Sequence, residues 1–366
     1  MGILFTPVRI GSVTVPNRFV RSATHDFMAD DEGFVTDAHM ELYSRLAEGD
    51  VGLIITGHAH VQPSGKASPR QMAVFDDRFV EGLARIPAAV HRFPSLVFLQ
   101  IAHAGRQTKE KLCGCVPVSP SAIYDPASKV MPRELASDEI GALIVDFISA
   151  AKRAKRAGFD GVQLHAAHGY LLSSFLSPHT NQRADEWGGP VEDRARVLVE
   201  ILRGVKSACG RDFPVIVKLN STDFFKGGLV LEDAVRVARM IETEGIDGIE
   251  VSGGMAEAGR GSVWPGLRSE DEEGYFAANA SAIKAAVRVP VFALGGVRTL
   301  AVAERLVREG RADLVSLSRP LIRDPFLVKH FHEGLTSKSE CISCNKCFNP
   351  RGIRCAELGK REKIHV

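Results

Sequence analysis

Histidine and tyrosine side chains follow a short apolar run in the middle of the sequence. His165 and His168 are three residues apart, and Tyr170 comes two residues later. Residues three apart point to opposite faces of a strand, but they reach one side where the chain begins to coil after it. An imidazole pair binds a carbonyl, nitro or phenolate oxygen, and a phenol donates a proton. The segment therefore predicts a site that polarises a substrate oxygen and protonates a nearby atom.

Polar residues end the other predicted strands as well, and six of the twelve histidines lie at such ends. In chain order these sets are Ser22 to His25, Thr56 to His60, Gln100 to His103, Lys218 with Asn220, Ser252 to Gly254, Gly295 with Gly296, and Ser318 with Arg319. A parallel barrel gathers the carboxyl ends of its strands at one mouth. We therefore expect these side chains to form a single active site.

The elements that must position these residues alternate between strand and helix. Strands are predicted within 19–24, 47–57, 95–103, 156–165, 214–220, 243–254, 290–296 and 308–318. The predicted helices are 37–47, 78–93, 139–157, 191–209, 231–244, 272–287 and 299–309, with a short one after Pro325. Near-continuous apolar strands need helices to cover them, so the pattern predicts an α/β fold, a (β/α)₈ TIM barrel. An open doubly wound sheet is the alternative, but no GxGxxG follows the first strand.

Four of these joints share a glycine between the helical pattern and the strand. Gly49, Gly158, Gly245 and Gly310 each suit the left-handed position that ends a helix. We expect each of them to adopt positive φ.

Three segments depart from the repeat. Residues 3–16 read as a β-hairpin around Gly11 that would plug the barrel floor. The joint 109–133 is long for a loop of this kind and is either a lid or an ordered excursion near the site. The composition changes after the barrel, so we divide the chain into a barrel, 1–335, and a Cys-rich C-terminal tail, 336–366.

Composition excludes several classes of function. The 366 residues are 45% hydrophobic and 25% charged with a net charge of +2, and basic residues are interspersed with acidic ones. This is an ordinary globular composition with no phosphate-tracking surface, so nucleic acid is not expected as a partner. No apolar run approaches the ~18 residues of a membrane span, and a cytoplasmic location is expected. Seven cysteines without a secretory signal favour reduced thiols or metal ligands.

The glycine pairs after the sixth and seventh strands, including Gly253, Gly295 and Gly296, precede Arg319 at the end of the eighth. Glycine lets backbone N–H groups approach an oxyanion, and arginine offers a bidentate fork. Barrels often seat a phosphate here, so we predict a phosphorylated ligand; the alternative is that the glycines only make tight turns.

Across most of 1–335 the sequence resembles the old yellow enzyme family of NAD(P)H:flavin oxidoreductases. The segments that carry the resemblance are NRFVRSATHD, LQIAHAGRQ, HAAHGYLLSSFLSPHTNQRADEWGG, VKLNSTDF, VSGG and LGGV. The family uses a small-molecule substrate with an activated alkene, bound over a non-covalent FMN at the barrel mouth. A homo-oligomer is also expected.

The resemblance assigns roles to individual residues. Ala23, Thr24 and Gly57 would contact the flavin, and Gln100 would bond its pyrimidine edge. Lys218 would lie beside N1, Gly295 and Gly296 would cradle the phosphate, and Arg319 would clamp it. His165 and His168 would hold the substrate oxygen, and Tyr170 would be the proton donor.

The sequence also departs from the family pattern at three positions. His25 stands where threonine or cysteine is usual near the flavin C4 oxygen and N5, which would alter the reduction potential or the substrates accepted. Ser318 replaces a glycine before the phosphate arginine. Lys218 replaces arginine, so it keeps the positive charge but loses the fork.

The resemblance implies a ping-pong reaction. NAD(P)H would reduce the flavin and leave, and the reduced flavin would then pass hydride to an α,β-unsaturated carbonyl or nitro compound. Oxidative N-demethylation and dienoyl-thioester reduction are alternatives on the same scaffold.

Four cysteines in the tail have the spacing of metal ligands. Cys341, Cys344, Cys347 and Cys355 form the pattern C-x₂-C-x₂-C-x₇-C. Such a set binds zinc or a [4Fe–4S] cluster, and the segment is similar to the iron–sulfur segment of 2,4-dienoyl-CoA reductase and trimethylamine dehydrogenase, which use a longer spacing. A bound metal and a metal-free tail both remain open.

Two alternative hypotheses assign the protein to other classes of function. His58 and His60 are two apart, as in barrel metal-dependent hydrolases, but the fifth to seventh strands carry no histidine. A non-catalytic flavin or metal sensor would keep the pocket and the cysteines without turnover.

Overall fold

The computed structural model describes residues 2–259 and 261–358, and the end of the predicted tail, 359–366, lies outside them. The strands are β1 Val8–Ile10, β2 Val13–Val15, β3 Phe19–Arg21, β4 Leu53–Ile55, β5 Ala59–His60, β6 Leu96–Ala102, β7 Val118–Ser119, β8 Arg133–Glu134, β9 Gly161–Ala166, β10 Val215–Asn220, β11 Gly248–Ser252, β12 Val291–Ala293 and β13 Leu314–Leu317. The α-helices are α1 Asp37–Glu48, α2 Val80–Val90, α3 Glu110–Cys113, α4 Ser137–Arg156, α5 Leu171–Leu176, α6 Val191–Cys209, α7 Leu231–Thr243, α8 Ala277–Lys284, α9 Leu300–Arg308, α10 Arg319–Arg323 and α11 Leu327–His332.

Eight parallel strands close into a barrel. The ring runs β3, β4, β6, β9, β10, β11, β12, β13 and returns to β3, and β5 adds at the edge of β6. The pairs Leu317 with Arg21 and Ile55 with Phe98 show the parallel register at two of these joints. The predicted TIM barrel is confirmed, and the carboxyl ends of the strands meet at one mouth.

Apolar side chains fill both sides of the strands. Outside the barrel, amphipathic helices such as α7 bury one stripe, here Val237, Ala238 and Ile241, against the sheet. None of the described helices combines the length and the apolar character needed to cross a membrane.

A β-hairpin seals the floor of the barrel, as predicted. Strands β1 and β2 pair around Gly11, which has φ 57°. Ile10 and Val15 join a fully buried cluster with residues near the starts of the barrel strands, including Phe98 and Phe292. The floor is therefore packed with apolar side chains, which leaves polar chemistry to the other end.

The glycine prediction holds at three joints and is wrong at the fourth. Gly158, Gly245 and Gly310 have φ of 88°, 88° and 67°, but Gly49 has φ −81° and Asp50 takes the left-handed position with φ 62°. Gly49 is required for a different reason, because a Cβ there would lie 2.2 Å from the carbonyl oxygen of Pro325.

Two other segments differ in detail from the expectation. The helix predicted at 272–287 is shorter, since Glu270–Glu272 form a 3₁₀ turn and α8 begins only at Ala277. The joint 109–133 is an ordered excursion that contains α3 and ends as β7 pairs with β8. The buried Arg106 fastens it by donating hydrogen bonds to the carbonyl oxygens of Ile123 and Tyr124.

We predict that Phe98→Ala lowers the free energy of unfolding by about 3–5 kcal/mol, because it opens a cavity in the sealed floor where Phe98 is fully buried. Denaturant unfolding followed by circular dichroism measures the change. Val145→Ala on α4 is the control, since that side chain is 59% exposed and its loss should change the free energy by less than about 0.5 kcal/mol. Equal effects of the two substitutions would contradict the packing described.

Candidate functional site

A cavity of about 300 Å³ lies at the mouth of the barrel. Most of the residues predicted from sequence line it, namely Ala23, Thr24, His25, Gln100, His165, His168, Tyr170, Lys218, Gly296, Ser318 and Arg319. Six different strand ends contribute to this list. The barrel therefore gathers residues that are up to 296 positions apart in the sequence.

Three predicted glycines lie behind the wall rather than in it. Gly57 donates its N–H to the hydroxyl of Tyr43, and a Cβ on it would lie 2.7 Å from the Asp26 carboxylate. Gly253 packs behind Phe224 and Phe276. Gly295, with φ 133°, accepts backbone hydrogen bonds from 274 and 275. These glycines shape the turns of the mouth, and their contact with a cofactor stays a prediction.

The two histidines and the tyrosine of the central motif lie together, because the chain turns sharply after β9. His168 adopts φ 64°, a left-handed conformation that brings its ring back beside that of His165. The ring centroids are 5.3 Å apart for His165 and His168, and 4.6 Å apart for His165 and Tyr170. His168 is held by a 2.7 Å hydrogen bond between its Nε2 and the Ser252 hydroxyl.

Burial fixes the protonation of this group. Desolvation lowers the pKa of His168 to about 3, helped by the Lys218 charge, and lowers the pKa of His165 well below its ordinary value. Burial raises the pKa of Tyr170 to about 12. At neutral pH the site therefore presents neutral imidazoles and a protonated phenol.

A second imidazole pair lines the same cavity. The rings of His25 and His58 are 4.8 Å apart, and His58 is 5.3 Å from the ring of Tyr170. The Gln71 side-chain oxygen accepts from the N–H of Ala67, so its amide nitrogen donates to His58 Nδ1 at 2.6 Å. His58 must then carry its proton on Nε2.

His60 lies in different surroundings from His58, although both were considered as metal ligands. Its Nδ1 is 2.8 Å from the carbonyl oxygen of Gln62, and its ring packs against Phe75. Within 2–259 and 261–358, no group of three His, Cys, Asp or Glu side chains is placed to hold a metal ion. The structure offers no support for a metal-dependent hydrolase.

A buried chain of polar side chains runs along the base of the cavity at the barrel mouth. Gln100 donates to Gln163 at 2.7 Å, and Gln163 donates to the Glu250 carboxylate at 2.9 Å. The Lys218 ammonium lies 3.3 Å from the same carboxylate oxygen and donates to the Ser22 hydroxyl at 2.9 Å. One side of the cavity base therefore carries the Lys218 ammonium, and the other side carries the Gln100 amide.

The phosphate end predicted from sequence lies under the tail. Arg319 donates to the side chain of Asn345 at 2.6 Å and to the carbonyl oxygens of Trp264 and Ser343. Ser318 and Thr24 share a 2.8 Å hydrogen bond between their hydroxyls. The arginine is thus aimed and buried by the tail rather than exposed to solvent.

Comparison with known proteins identifies the family to which the chain belongs. The family model described as the NADH:flavin oxidoreductase / NADH oxidase family matches residues 3–338. The chain belongs to this family. An NADH oxidase of Thermoanaerobacter brockii is 39% identical over 361 residues, which cover 96% of this chain and 55% of that protein.

Two solved structures of the family are similar to the chain. A 2-naphthoyl-CoA reductase complex matches with a TM-score of 0.88 and 32% identity, over 94% of this chain and 54% of that one. An old yellow enzyme homologue from Zymomonas mobilis matches with a TM-score of 0.81 and 28% identity, over 97% of both chains. The chain spans about half the length of the NADH oxidase and of the naphthoyl-CoA reductase.

The mouth fits the FMN that the family implies. His165 Nδ1 and the Ser316 hydroxyl are buried in cavity-lining residues and have no hydrogen-bond partner within the described chain. Buried polar atoms are normally paired, so these two are available to a ligand. Arg319 supplies the positive charge that an anionic flavin phosphate needs, and Lys218 supplies a second positive charge elsewhere in the same cavity.

The tail cysteines are near one another but do not form a metal site in this structure. Burial raises the pKa of Cys347 to about 11, and the neighbouring thiols Cys341, Cys355 and Cys344 act electrostatically in the same direction. In the part of the chain that the structure describes they do not form a ligand set. A zinc ion or [4Fe–4S] cluster at these cysteines stays a prediction.

Several residues of the cavity wall are not among those predicted from the sequence. Ser316 lies inside β13, and Tyr275 and Phe348 come from a loop and from the tail. Only the alternation along β13 could have indicated Ser316, since it shares a face with Ser318. Tyr275 and Phe348 carry no local signal, because tertiary packing alone brings them to the mouth.

We predict that stability falls as the pH is lowered from 6.5 towards 4. Burial lowers the pKa of His103 to about 3, so the unfolded chain takes up the proton first and the folded state is penalised below the ordinary pKa. Each such histidine contributes a slope of about 1.4 kcal/mol per pH unit. Denaturant unfolding at several pH values measures it.

The matched variant is His103→Asn, which keeps an acceptor for the N–H of Gly105 that His103 Nδ1 now binds. Its stability should fall less steeply with pH by that one increment. An unchanged slope would show that His103 does not titrate as a buried neutral group.

Proposed function

We propose that the protein is an FMN-dependent NAD(P)H oxidoreductase that reduces activated C=C bonds of α,β-unsaturated carbonyl or nitro compounds. The observation that carries the proposal is the neutral pair His165 and His168 beside the protonated Tyr170 at the mouth of a flavin-family barrel. When bound, FMN would supply the chemistry of accepting a hydride from NAD(P)H and donating it to the alkene.

The polar residues at the base of the cavity would bind the cofactor. Gln100 presents an amide at one side, and Lys218 presents its ammonium at the other. Arg319 would hold the phosphate, with the backbone at Gly296 close by. His25 and Ser318 line the same cavity and would contact the ring and the phosphate respectively.

The imidazole pair would bind and polarise the substrate. His165 has a buried nitrogen without a partner in the described residues, and His168 is aimed by Ser252. Hydrogen bonds from neutral donors to the carbonyl or nitro oxygen stabilise the negative charge that develops there, which makes Cβ electrophilic. Tyr170 keeps its proton at neutral pH and would deliver it to Cα.

Conjugated thioesters are a second substrate class. The similarity to a 2-naphthoyl-CoA reductase over 94% of this chain supports this candidate. A thioester carbonyl would accept from the same two imidazole donors, so this arrangement of donors would serve both classes. Relative kcat/KM for cyclohexenone and for an enoyl-thioester distinguishes them.

The proposal is tested by spectroscopy of the purified protein under anaerobic conditions. A protein that binds FMN, loses the flavin absorbance with NADPH or NADH and regains it with cyclohexenone performs the proposed reaction. A bound flavin that neither nicotinamide reduces would indicate a sensor, and failure to bind FMN would overturn the proposal. Iron and zinc analysis of the same sample tests the cysteine tail.

We predict that Tyr170→Phe slows alkene reduction by about 10²–10⁴-fold, the usual contribution of a positioned acid, and leaves flavin reduction by NAD(P)H nearly unchanged. Stopped-flow absorbance separates the two half-reactions. Tyr124→Phe is the control, because that side chain is 49% exposed and does not line the cavity. Equal slowing of both half-reactions would remove Tyr170 from the role of donor.

We predict that His165→Ala weakens the binding of phenols to the oxidised enzyme by at least about tenfold, because a hydrogen bond to a charged oxygen contributes about 1.5–3 kcal/mol. The charge-transfer band between phenol and flavin measures the dissociation constant. His91→Ala, at a solvent-accessible ring paired with Asp160, is the control. Unchanged phenol affinity in the His165 variant would contradict the assignment of the oxygen-binding site.

A further inference from the structure

Glu250 is a fully buried carboxylate that no step of the proposed reaction uses. It lies on β11 with 0% of its surface exposed. One carboxylate oxygen, Oε2, accepts from Gln163 and pairs with Lys218. The other, Oε1, has no hydrogen-bond partner in 2–259 or 261–358. A carboxylate is seldom buried without a charge partner, so Lys218 is the reason that it is tolerated here.

Glu250 does not line the cavity, but it contacts the residues on both sides of the cavity base. Through Gln163 it orients the amide of Gln100, and directly it holds the ammonium of Lys218. Both of these residues line the cavity, whereas Glu250 and Gln163 lie beneath. Any change in the charge of Glu250 therefore acts on the cavity base through two short contacts, one with Lys218 and one with Gln163.

Buried charges of both signs lie around the cavity base. Arg21, 2% exposed, lies on the neighbouring side and donates to the Thr24 hydroxyl. Asp26 is also buried and accepts a 2.9 Å hydrogen bond from Tyr43. Arg21 interacts electrostatically with both Asp26 and Glu250, and Lys218 pairs with Glu250, so removal of the Glu250 carboxylate leaves Lys218 without its charge partner.

We propose that Glu250 is a positioning residue that sets the reduction potential of the FMN by holding Lys218 and offsetting part of its charge. The inference rests on the proposed function, since it requires FMN above Lys218. Two-electron reduction gives the bound flavin more negative charge, which an uncompensated ammonium stabilises. Glu250 therefore keeps the potential more negative and favours hydride donation to the alkene.

The test is Glu250→Gln, which keeps the shape and an acceptor for Gln163 and removes the charge. We expect the midpoint potential of the FMN, measured anaerobically against a reference dye, to move to a more positive value. We also expect sulfite, which adds its sulfur lone pair to N5 and leaves a negative charge on the ring, to bind about tenfold more tightly or better. A potential and a sulfite affinity equal to those of the wild type would overturn the proposal.

Asp247→Asn is the matched control, because Asp247 immediately precedes β11 and pairs with Lys206 at 2.5 Å at the opposite end of the barrel. It removes a carboxylate from a lysine pair at that end, so it should leave the potential unmoved. An equal positive shift in both variants would assign the effect to general electrostatics or destabilisation and overturn the specific role of Glu250.

The route through Lys218 is tested in a Lys218→Met background, where Glu250→Gln should produce a markedly smaller shift. A shift of full size there would overturn the proposed route. If Glu250→Gln does not fold, Glu250→Asp decides the matter: it withdraws the carboxylate from Lys218, and an unchanged potential would overturn the proposal. Absence of FMN from the wild-type protein, seen in its spectrum beforehand, would instead overturn the proposed function.

Discussion

The mouth of this barrel depends on burying titratable side chains in a region from which water is largely excluded. Desolvation opposes charge, so His165 and His168 stay neutral and Tyr170 keeps its proton. The same desolvation would penalise Lys218, and its pKa is indeed lowered by burial while Glu250 acts in the opposite direction. Neutral donors, a proton donor and one compensated cation thus arise from a single physical cause.

The barrel explains how such a site is built from ordinary sequence. Apolar side chains occupy the floor, where the hairpin and residues such as Phe98 leave no room for water. The barrel strands then carry polar groups in their middle and at their carboxyl ends, as Glu250 and Ser252 do on β11. Because the floor is rigid and well packed, small changes at the mouth alter the chemistry without endangering the fold.

Sequence alone predicted the parts of the molecule that local physics determines. Helix α6 was predicted with its observed ends, because its apolar stripe begins after Pro190 and stops at Gly210. Gly49 was misjudged, since a glycine after a helix suggests positive φ but the requirement is close approach by the backbone of Pro325. Helices α5 and α10 were missed because they are short and almost wholly buried, so they show no amphipathic period.

The residues of the site also fall into those that local sequence predicts and those that only tertiary packing brings to the cavity. His165, His168 and Tyr170 were predictable because they are close in sequence and the left-handed turn at His168 completes their arrangement. Phe348 and the contacts of Asn345 with Arg319 were not, because they depend on where the tail packs after the barrel has closed. The strand ends and the turn that directly follows β9 therefore fix the residues that do the chemistry, whereas the longer loops and the tail determine the rest of the cavity wall. Since loops and tails tolerate change more readily than strands, the reaction type should be a more constant property of this scaffold than the shape of the substrate it accepts.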